Sequence, residues 1–296
     1  MPNTIVAVPL DKRLAEFIGK KGSENSITFY NRHTDSGAIV ALMPTSIEEK
    51  FYAAAESILV SNGVILGTEN VNAVFGEMLV AASLAKKPVI FVGNDKVSEL
   101  AKNAKIENFA YASLESLIDE IEKLKIPEGR GKRIDIDKAF KVTGVGTVAL
   151  GIVTSGKIAV HDELYHTSGK KVTVKSIQIQ DEDKSEAEAG SRVGLALKNI
   201  EPDEIEKGDL LTDKIVERRD TLNVELKKSE FGNESIEEGK TFMFASNFSY
   251  ASVSVKEASG GGAKLQLDKP LPLMPGDNFF LIRGKVPRIF AFGKIV

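Results

Sequence analysis

Side chains able to perform catalysis or hold a metal ion are sparse in this sequence. There is no cysteine, which excludes thiol nucleophiles, disulfides and cysteine-ligated zinc together. The histidines are His33, His161 and His166. So few histidines argue against a metal enzyme. Two neighbouring pairs, His33 with Asp35 and Asp11 with Lys12, could shift each other's proton affinity. No third residue completes a catalytic set beside them, so we do not expect acid–base catalysis.

Phosphate binding is the second chemistry that the residues could support. In the pattern GxxxxGK[ST], which follows a strand and opens a helix, backbone N–H groups surround the phosphates, the lysine neutralises them and the hydroxyl holds magnesium. The first strand-like run, 5–8, is followed instead by PLDKR at 9–13. That loop is short, has no glycine, and its proline lacks a donor. Glycine and lysine do occur at 19–23, but after a helical stretch, and we interpret that segment as a helix C-cap and turn.

Strand-like and helical runs alternate over the front of the chain. Apolar β-type runs are found at 5–8, 26–30, 38–43, 63–67, 88–92 and 108–112, and helical runs at 12–18, 47–60, 71–85, 97–103 and 114–124. Runs such as VIFV at 89–92 are apolar on both faces, which is typical of a parallel sheet covered by helices. The front of the chain is therefore predicted to be a doubly wound α/β domain.

The pattern changes after residue 124. The segment 126–133, IPEGRGKR, has the composition of an exposed connector. Beyond it, short alternating runs separated by glycine-centred turns indicate small antiparallel barrels. In the last part, such runs are found at 221–226, 240–245, 251–257, 263–267, 278–283 and 286–295. We predict three domains, with bounds 1–126, 127–213 and 214–296.

The composition is that of an ordinary globular protein with little net charge. Hydrophobic residues make up 42% and charged residues 27% of the chain, and the formal net charge is −3. Such a molecule has no strong basic field for nonspecific nucleic-acid binding, so any RNA contact must be local, and we expect no DNA partner. No apolar run reaches the roughly 20 residues that span a membrane. Because no signal-like segment precedes the first strand, we expect a cytoplasmic protein without a membrane partner.

Four ordered segments of the middle domain carry a specific resemblance. They read FKVTGVGTVALGIV at 140–153 with GKI at 156–158, VKSIQ at 174–178, AGSRVGLAL at 189–197 and IEKGDLL at 205–211. In this order they resemble the second domain of translation GTPases, the family of elongation factor Tu and the selenocysteine-specific elongation factor. The resemblance implies a GTP-binding-type α/β domain in front, followed by two small β-barrels. The glycines also suit a barrel, because Gly144 and Gly146 permit a tight hairpin.

The front domain departs from that family at each position of nucleotide chemistry. The magnesium-proximal Asp-x-x-Gly expected after the third strand is replaced by LMPT at 42–45. The guanine-selecting Asn-Lys-x-Asp is replaced by NDKV at 94–97, and a valine cannot accept a base N–H. Ser113 resembles the last family motif but also suits a helix N-cap. We interpret Asn94, Asp95 and Ser113 as the non-functional remnant of a nucleotide site.

With these motifs lost together, we expect neither GTP nor magnesium as a cofactor and no GTP hydrolysis. A GTP-binding factor with rewritten motifs is the alternative. In the family, the second domain helps to hold the aminoacylated end of tRNA and contacts the ribosome, while the third touches the tRNA stem. The resemblance therefore implies a translation elongation factor-like protein that binds tRNA or the ribosome.

Several residues are candidates for that RNA contact. By its position in the matched segment VKSIQ, Gln178 resembles the residue where the family receives the terminal adenosine. Positively charged candidates for phosphate contacts are Arg192, Arg283 and Arg288, with Lys285 and Lys294. The alternative without RNA is a scaffold that docks to a true translation factor or the ribosome. Its candidate surfaces are the apolar helix 71–85 and the glycine turn 260–262. Nucleic acid retained by the purified protein favours the RNA-binding interpretation.

Overall fold

The computed structural model describes residues 3–35, 37–126, 129, 131–232 and 234–296. Its first part is an α/β domain. The strands of this domain are β1 Thr4–Ala7, β2 Lys20–Glu24, β3 Ile27–Thr34, β4 Gly37–Pro44, β5 Gly63–Gly67, β6 Val89–Val92 and β7 Phe109–Ala112. Its helices are α1 Lys12–Ile18, α2 Phe51–Val60, α3 Ala73–Leu84, α4 Ser98–Asn103 and α5 Leu117–Glu122, with a 3-10 turn Asp95–Val97 before α4.

These strands form one sheet in the order β2-β3-β4-β1-β5-β6-β7. The five strands from β4 to β7 in this order run parallel, whereas β2 and β3 pair antiparallel at one edge. Every residue of β6 is buried, as expected for a strand that is apolar on both faces and covered by helices. The doubly wound α/β prediction is confirmed, with an antiparallel hairpin added at the edge of the sheet.

That edge hairpin contradicts the turn predicted at 19–23. Gly19 does end α1, and its N–H donates to the carbonyl of Ala15 at 3.1 Å. The chain then continues as the edge strand Lys20–Glu24 rather than turning. A Cβ at Gly19 would lie 2.7 Å from the backbone of Asn31 in β3, so glycine permits the close approach of these two segments. The tertiary contact with β3 therefore converts a polar segment into a strand.

The middle domain is a β-barrel. Its strands are β8 Arg133–Val142, β9 Gly146–Ser155, β10 Lys157–Ala159, β11 Glu163–His166, β12 Lys171–Ile179, β13 Glu182–Lys184, β14 Glu186–Glu188, β15 Arg192–Lys198 and β16 Leu210–Thr212. A ring of six closes in the order β11-β16-β8-β9-β15-β12, because β11 also pairs with β12. The predicted glycine hairpin joins β8 and β9, where Gly144 and Gly146 have φ values of 81° and 104°.

The third part is a second closed barrel. Its strands are β17 Arg218–Lys228, β18 Thr241–Ser246, β19 Ser249–Ser259, β20 Gly262–Pro272, β21 Asn278–Ile282 and β22 Ile289–Ile295. They close in the order β17-β20-β19-β18-β21-β22. The last strand begins at Ile289 rather than at 286, because the backbone N–H of Arg288 bonds to the front domain instead of to a neighbouring strand. The prediction of an α/β domain followed by two β-barrels is confirmed.

The predicted connector lies partly outside the described residues, which do not include Pro127, Glu128 or Arg130. The barrels themselves pack tightly on the front domain. One apolar cluster joins Phe75 and Met78 of α3 to Phe280 and Ile289 of the third domain. A further cluster joins Ile27 and Phe29 of β3 to residues of both barrels. Buried apolar contacts therefore hold the front domain against both barrels.

Within the described ranges, no helix is long and apolar enough to cross a membrane.

Candidate functional site

The loop that would bind phosphate in the front domain is occupied by a carboxylate of the chain itself. Asp11 precedes α1, and its Oδ1 accepts hydrogen bonds from the N–H groups of Arg13 (2.9 Å) and Leu14 (3.2 Å). These are helix N-terminal donors of the kind that phosphates use. A nucleotide here would meet a negative charge in place of free donors. Lys12, which the sequence pairs with Asp11, instead lies 3.4 Å from Glu16.

The residues that the sequence suggests as a base-recognition remnant serve local structure. Asn94 caps the 3-10 turn, with its Oδ1 accepting from the N–H of Lys96 at 3.1 Å, and its own N–H donates to Thr68 Oγ1 at 2.8 Å. Asp95 is exposed. Val97, which stands where the resemblance expects a base-selecting carboxylate, is 2% exposed and belongs to the main apolar core.

Ser113 caps a turn rather than α5. Its Oγ accepts from the N–H of Ser116 at 3.4 Å, and its N–H donates to Ser116 Oγ at 3.1 Å. The helix begins at Leu117 with Ser116 at its N-cap, so the predicted N-cap lies one turn too early. Across the part of the chain that the structure describes, no group of three or more histidine, cysteine or carboxylate side chains could hold a metal ion.

A cleft of about 490 Å³ separates the β2–β3 hairpin from β12 and β15 of the middle domain. Polar and charged side chains dominate its lining. They include Lys20, Lys21, His33, Gln178, Gln180 and Arg192. Gln178 is exposed on β12, and its Nε2 donates to Asp183 Oδ1 at 3.0 Å. The structure thus brings two of the sequence-predicted residues, Gln178 and Arg192, to one cleft.

Arg192 forms a buried connection between the front and middle domains. Its Nη2 donates to Ser23 Oγ (2.6 Å) and to Asp137 Oδ2 (3.2 Å), and its guanidinium carbon lies 3.4 Å from the centroid of the Phe29 ring. Burial lowers the pKa of Arg192 below its ordinary value. Its Nη1 is buried without a hydrogen-bond partner in the described structure. Arg192 therefore serves mainly as an interdomain contact, and its Nη1 makes no hydrogen bond among the described residues.

All three domains meet at a second cleft, of about 420 Å³. Its cationic lining residues are Lys50 of the front domain, Lys207 of the middle domain, and Arg218 and Lys269 of the third. The rings of Tyr52 and Tyr250 stack beside them, with centroids 3.8 Å apart. Sequence reasoning missed this cluster, because its members are far apart along the chain and form no motif.

Two of these cations have carboxyl partners within the protein. Lys207 Nζ donates to Glu56 Oε2 at 2.5 Å, and Arg218 bonds to Asp209. Asp209 is buried, which opposes its ionisation, but the hydrogen bond to His166 and the charge of Arg218 hold its pKa below the ordinary value. The contacts of Lys207 and Arg218 each join two domains, so these side chains are less available to a ligand.

The other two, Lys50 and Lys269, are exposed and have no ion-pair partner among the described residues. Lys269 Nζ lies 5.0 Å from the centroid of the Tyr250 ring. One carboxylate, Glu206, also lines the cleft. Free cations beside stacked rings suit a phosphodiester with an attached base or ribose, because phosphate needs charge and bases stack on aromatic faces.

Comparison with known proteins relates both the fold and the middle domain to translation factors. SelB of Methanococcus maripaludis, solved in complex with the GTP analogue GppNHp, matches all of this chain and 79% of its own, with a TM-score of 0.81 and 18% identity. The family model "Elongation factor Tu domain 2" matches residues 146–212. The whole chain therefore has the fold of SelB, and its middle domain matches the elongation factor Tu domain 2 family.

Two relatives from one organism match the chain to different extents. An uncharacterized protein of Methanocaldococcus jannaschii is 29% identical over 290 residues, which is 94% of each chain. The selenocysteine-specific elongation factor of the same organism is 41% identical over 100 residues, which is 33% of this chain. The match spans only 21% of that factor's length.

In this elongation factor-type chain, Arg283 and Arg288 lie against other parts of the protein. Arg288 Nη2 lies 2.6 Å from Glu77 Oε2 of α3, and its side chain is 12% exposed. Arg283 is 10% exposed and its Nη1 lies 3.3 Å from Glu234. The exposed Lys285 also pairs with Glu234. Of the predicted cations in the third domain, only Lys294 lies in another cleft without an ion pair among the described residues.

Proposed function

We propose that this chain is a cytoplasmic translation elongation factor-like protein that binds tRNA or the ribosome through the three-domain junction and does not hydrolyse GTP. The free cations Lys50 and Lys269 beside the stacked Tyr52 and Tyr250 rings carry the proposal. They supply a local positive site in a molecule whose net charge is negative. Such a site binds a phosphate backbone only where its shape also fits.

The position of the two clefts supports a single RNA path. The β2–β3 hairpin borders both of them, since Lys20 and Ser23 line the cleft with the middle domain while Asn25 and Ser26 line the junction. A strand whose phosphate lies at the junction could therefore extend its end toward Gln178. This route uses hydrogen-bonding groups of the cleft for the terminal nucleotide and the junction lysines for the backbone.

The assembly of this path requires no nucleotide. Three cationic side chains hold the front domain to the barrels, namely Lys207 through Glu56, Arg192 through Ser23, and Arg288 through Glu77. Switches in GTP-dependent proteins use the terminal phosphate to order mobile segments. Here the corresponding helix N-terminus is capped by Asp11. We therefore propose that the RNA-binding face is permanently assembled.

Titration with GDP or GTP in magnesium buffer is expected to give no binding heat. The reason is the combined effect of the Asp11 cap and the buried Val97 at the base-selecting position. SelB of Methanococcus maripaludis, which was solved with a GTP analogue, serves as the positive control under the same conditions. Tight GTP binding or magnesium-dependent phosphate release by this chain would contradict the proposal and restore a GTPase.

The variant Lys50→Glu/Lys269→Glu is expected to weaken tRNA binding by at least about tenfold, equivalent to about 1.4 kcal/mol. Both side chains are exposed, so the charge reversal leaves the core intact. Because cations that bind phosphates release counterions, the slope of log affinity against log salt should also fall by about one for each phosphate interaction that the variant removes. Fluorescence anisotropy with labelled aminoacyl-tRNA and with the deacylated form measures both quantities.

The matched control is Lys102→Glu/Lys256→Glu, which reverses one exposed charge in each of the same two domains, away from the junction. We expect it to leave affinity and salt slope unchanged. If the junction variant and this control bind tRNA equally well, the junction is not the RNA site. The affinity of the junction variant for isolated ribosomes is measured as well. An equal loss of affinity for tRNA and for ribosomes would indicate a shared surface, and a loss for tRNA alone would indicate a tRNA-specific one.

A further inference from the structure

A groove of about 550 Å³ runs along α3 where the front and third domains meet. Its lining is mainly apolar. Four of its side chains are large, hydrophobic and exposed, namely Val71 (47%), Leu100 (41%), Phe231 (53%) and Val286 (58%). Contiguous exposed apolar surface of this kind marks interaction sites in soluble proteins. None of these residues belongs to the RNA path.

The groove continues into two further clefts. The first of these clefts shares four lining residues with the groove, namely Val80, Asn103, Ala104 and Phe231. The second cleft shares Leu84, Lys86 and Lys227 with the first. The groove and the two clefts form one continuous seam, which follows α3 from just before its first turn to just after its last turn. Since α3 has 12 residues, the seam is about 18 Å long at 1.5 Å per residue. Such a shape suits an elongated occupant rather than a compact ligand.

Charge is distributed unequally along the seam. In the apolar groove, the only ionisable lining residue is Glu77, which Arg288 neutralises. The two continuing clefts are lined by five lysines against three carboxylates. Lys105 pairs with Glu230, whereas Lys86, Lys227 and Lys294 have no ion pair within the described ranges. One end of the seam is thus apolar and the other is cationic.

We propose that this seam binds an acidic, amphipathic segment of a partner protein, with its apolar side chains in the groove and its carboxylates at the lysines. A helix presents apolar residues at i, i+3 and i+4 to such a groove, which is a common mode of peptide recognition. The carboxylates complement Lys86, Lys227 and Lys294. A protein segment fits better than RNA, because RNA cannot bury the aliphatic walls formed by Val71, Leu100 and Val286. This site lies beyond the proposed RNA-binding function and does not depend on it.

The test is to immobilise the full chain and select binders from a phage-displayed library of random peptides. Each peptide has about 15 residues, which is long enough for four helical turns. We expect the enriched peptides to combine apolar residues at helical spacing with Asp or Glu toward one end. Phe231→Asp and Val286→Asp should each weaken their binding by about tenfold or more, because each removes a buried apolar contact and adds a charge. Lys86→Glu/Lys227→Glu should weaken it too, and added salt should do the same to the wild type.

Val145→Asp and Ile215→Asp are the matched controls, since these residues are 39% and 62% exposed and lie outside the seam. They should bind the selected peptides like the wild type. The proposal is overturned if no peptide is enriched, if the enriched peptides are basic, or if the groove variants and the controls behave alike. Displacement of the peptides by tRNA, with loss of tRNA binding in Phe231→Asp, would assign the seam to RNA instead.

Discussion

Replacement of Arg288 by methionine is expected to lower the free energy of unfolding by about 3–5 kcal/mol. Arg288 donates through Nε and Nη2 to both oxygens of Glu77, and its guanidinium lies 4.1 Å from the centroid of the Phe51 ring. The Glu77 side chain is only 3% exposed. Methionine fills the volume but leaves a buried carboxylate without a counter-charge, which is the costly way to break such a pair.

Urea denaturation measures this loss, and small-angle scattering shows whether the front and third domains separate. Lys285→Met is the control, because Lys285 lies in the same loop as Arg288 but its ion pair with Glu234 is exposed and should be worth less than about 1 kcal/mol. The double variant Arg288→Met/Glu77→Met should recover much of the loss by removing the stranded charge as well. An Arg288→Met protein as stable as Lys285→Met would show that the pair with Glu77 does not hold the domains.

The second large effect is a pH dependence carried by Glu56. This side chain lies fully buried on α2, with Lys207 Nζ on its Oε2 and no partner for its Oε1 in the described structure. Burial outweighs the attraction of Lys207 and raises the pKa of Glu56 to about 7, and the nearby Asp137 adds to the shift. The folded state therefore retains a proton that the unfolded state has already released.

A raised carboxyl pKa favours folding at acid pH, and the advantage disappears as pH rises from the ordinary carboxyl value of 4.5 to about 7. We expect the stability difference between wild type and Glu56→Gln to shift on the order of 3 kcal/mol across this range, with the wild type relatively better at the acid end. Denaturant titrations of both proteins at several pH values give this difference directly.

Glu225→Gln provides the control, because Glu225 is exposed and should show no such pH-dependent difference. A shift of opposite sign for Glu56→Gln would mean that Lys207 dominates and holds the carboxylate ionised. Lys207→Met tests the same pair from the other side. It should be more damaging above about pH 7 than below, since only the ionised carboxylate suffers from the loss of its counter-charge.

Much of the fold could be predicted from local patterns. The run 89–92 is apolar on both faces and forms the buried strand β6, and the glycines at 144 and 146 form the hairpin expected of them. The segment 19–23 was misassigned because it is polar, without the apolar alternation of a strand, and becomes a strand only by pairing with β3, the next strand along the chain. The composition of the segment alone does not indicate that pairing.

The candidate site was less accessible to sequence reasoning. Gln178 was chosen for its position in a family motif and Arg192 for its positive charge, and both line one cleft. The junction residues Lys50 and Lys269 have no motif and come from different domains, so only the packing of those domains brings them together. The residues next to them in the chain do not indicate that both side chains face the same cleft.

By itself, the sequence determined the resemblance of the middle domain to translation factors, the α/β front domain and the two β-barrels, because these depend on periodicity, turn residues and short ordered segments. Only the tertiary structure decided which charges are free. Arg192 and Arg288 look like any surface arginine in the sequence, yet both pack against another domain, while Lys50 and Lys269 remain exposed. The physical reason is that the availability of a charge depends on desolvation and pairing, and both are set by residues far away in the chain.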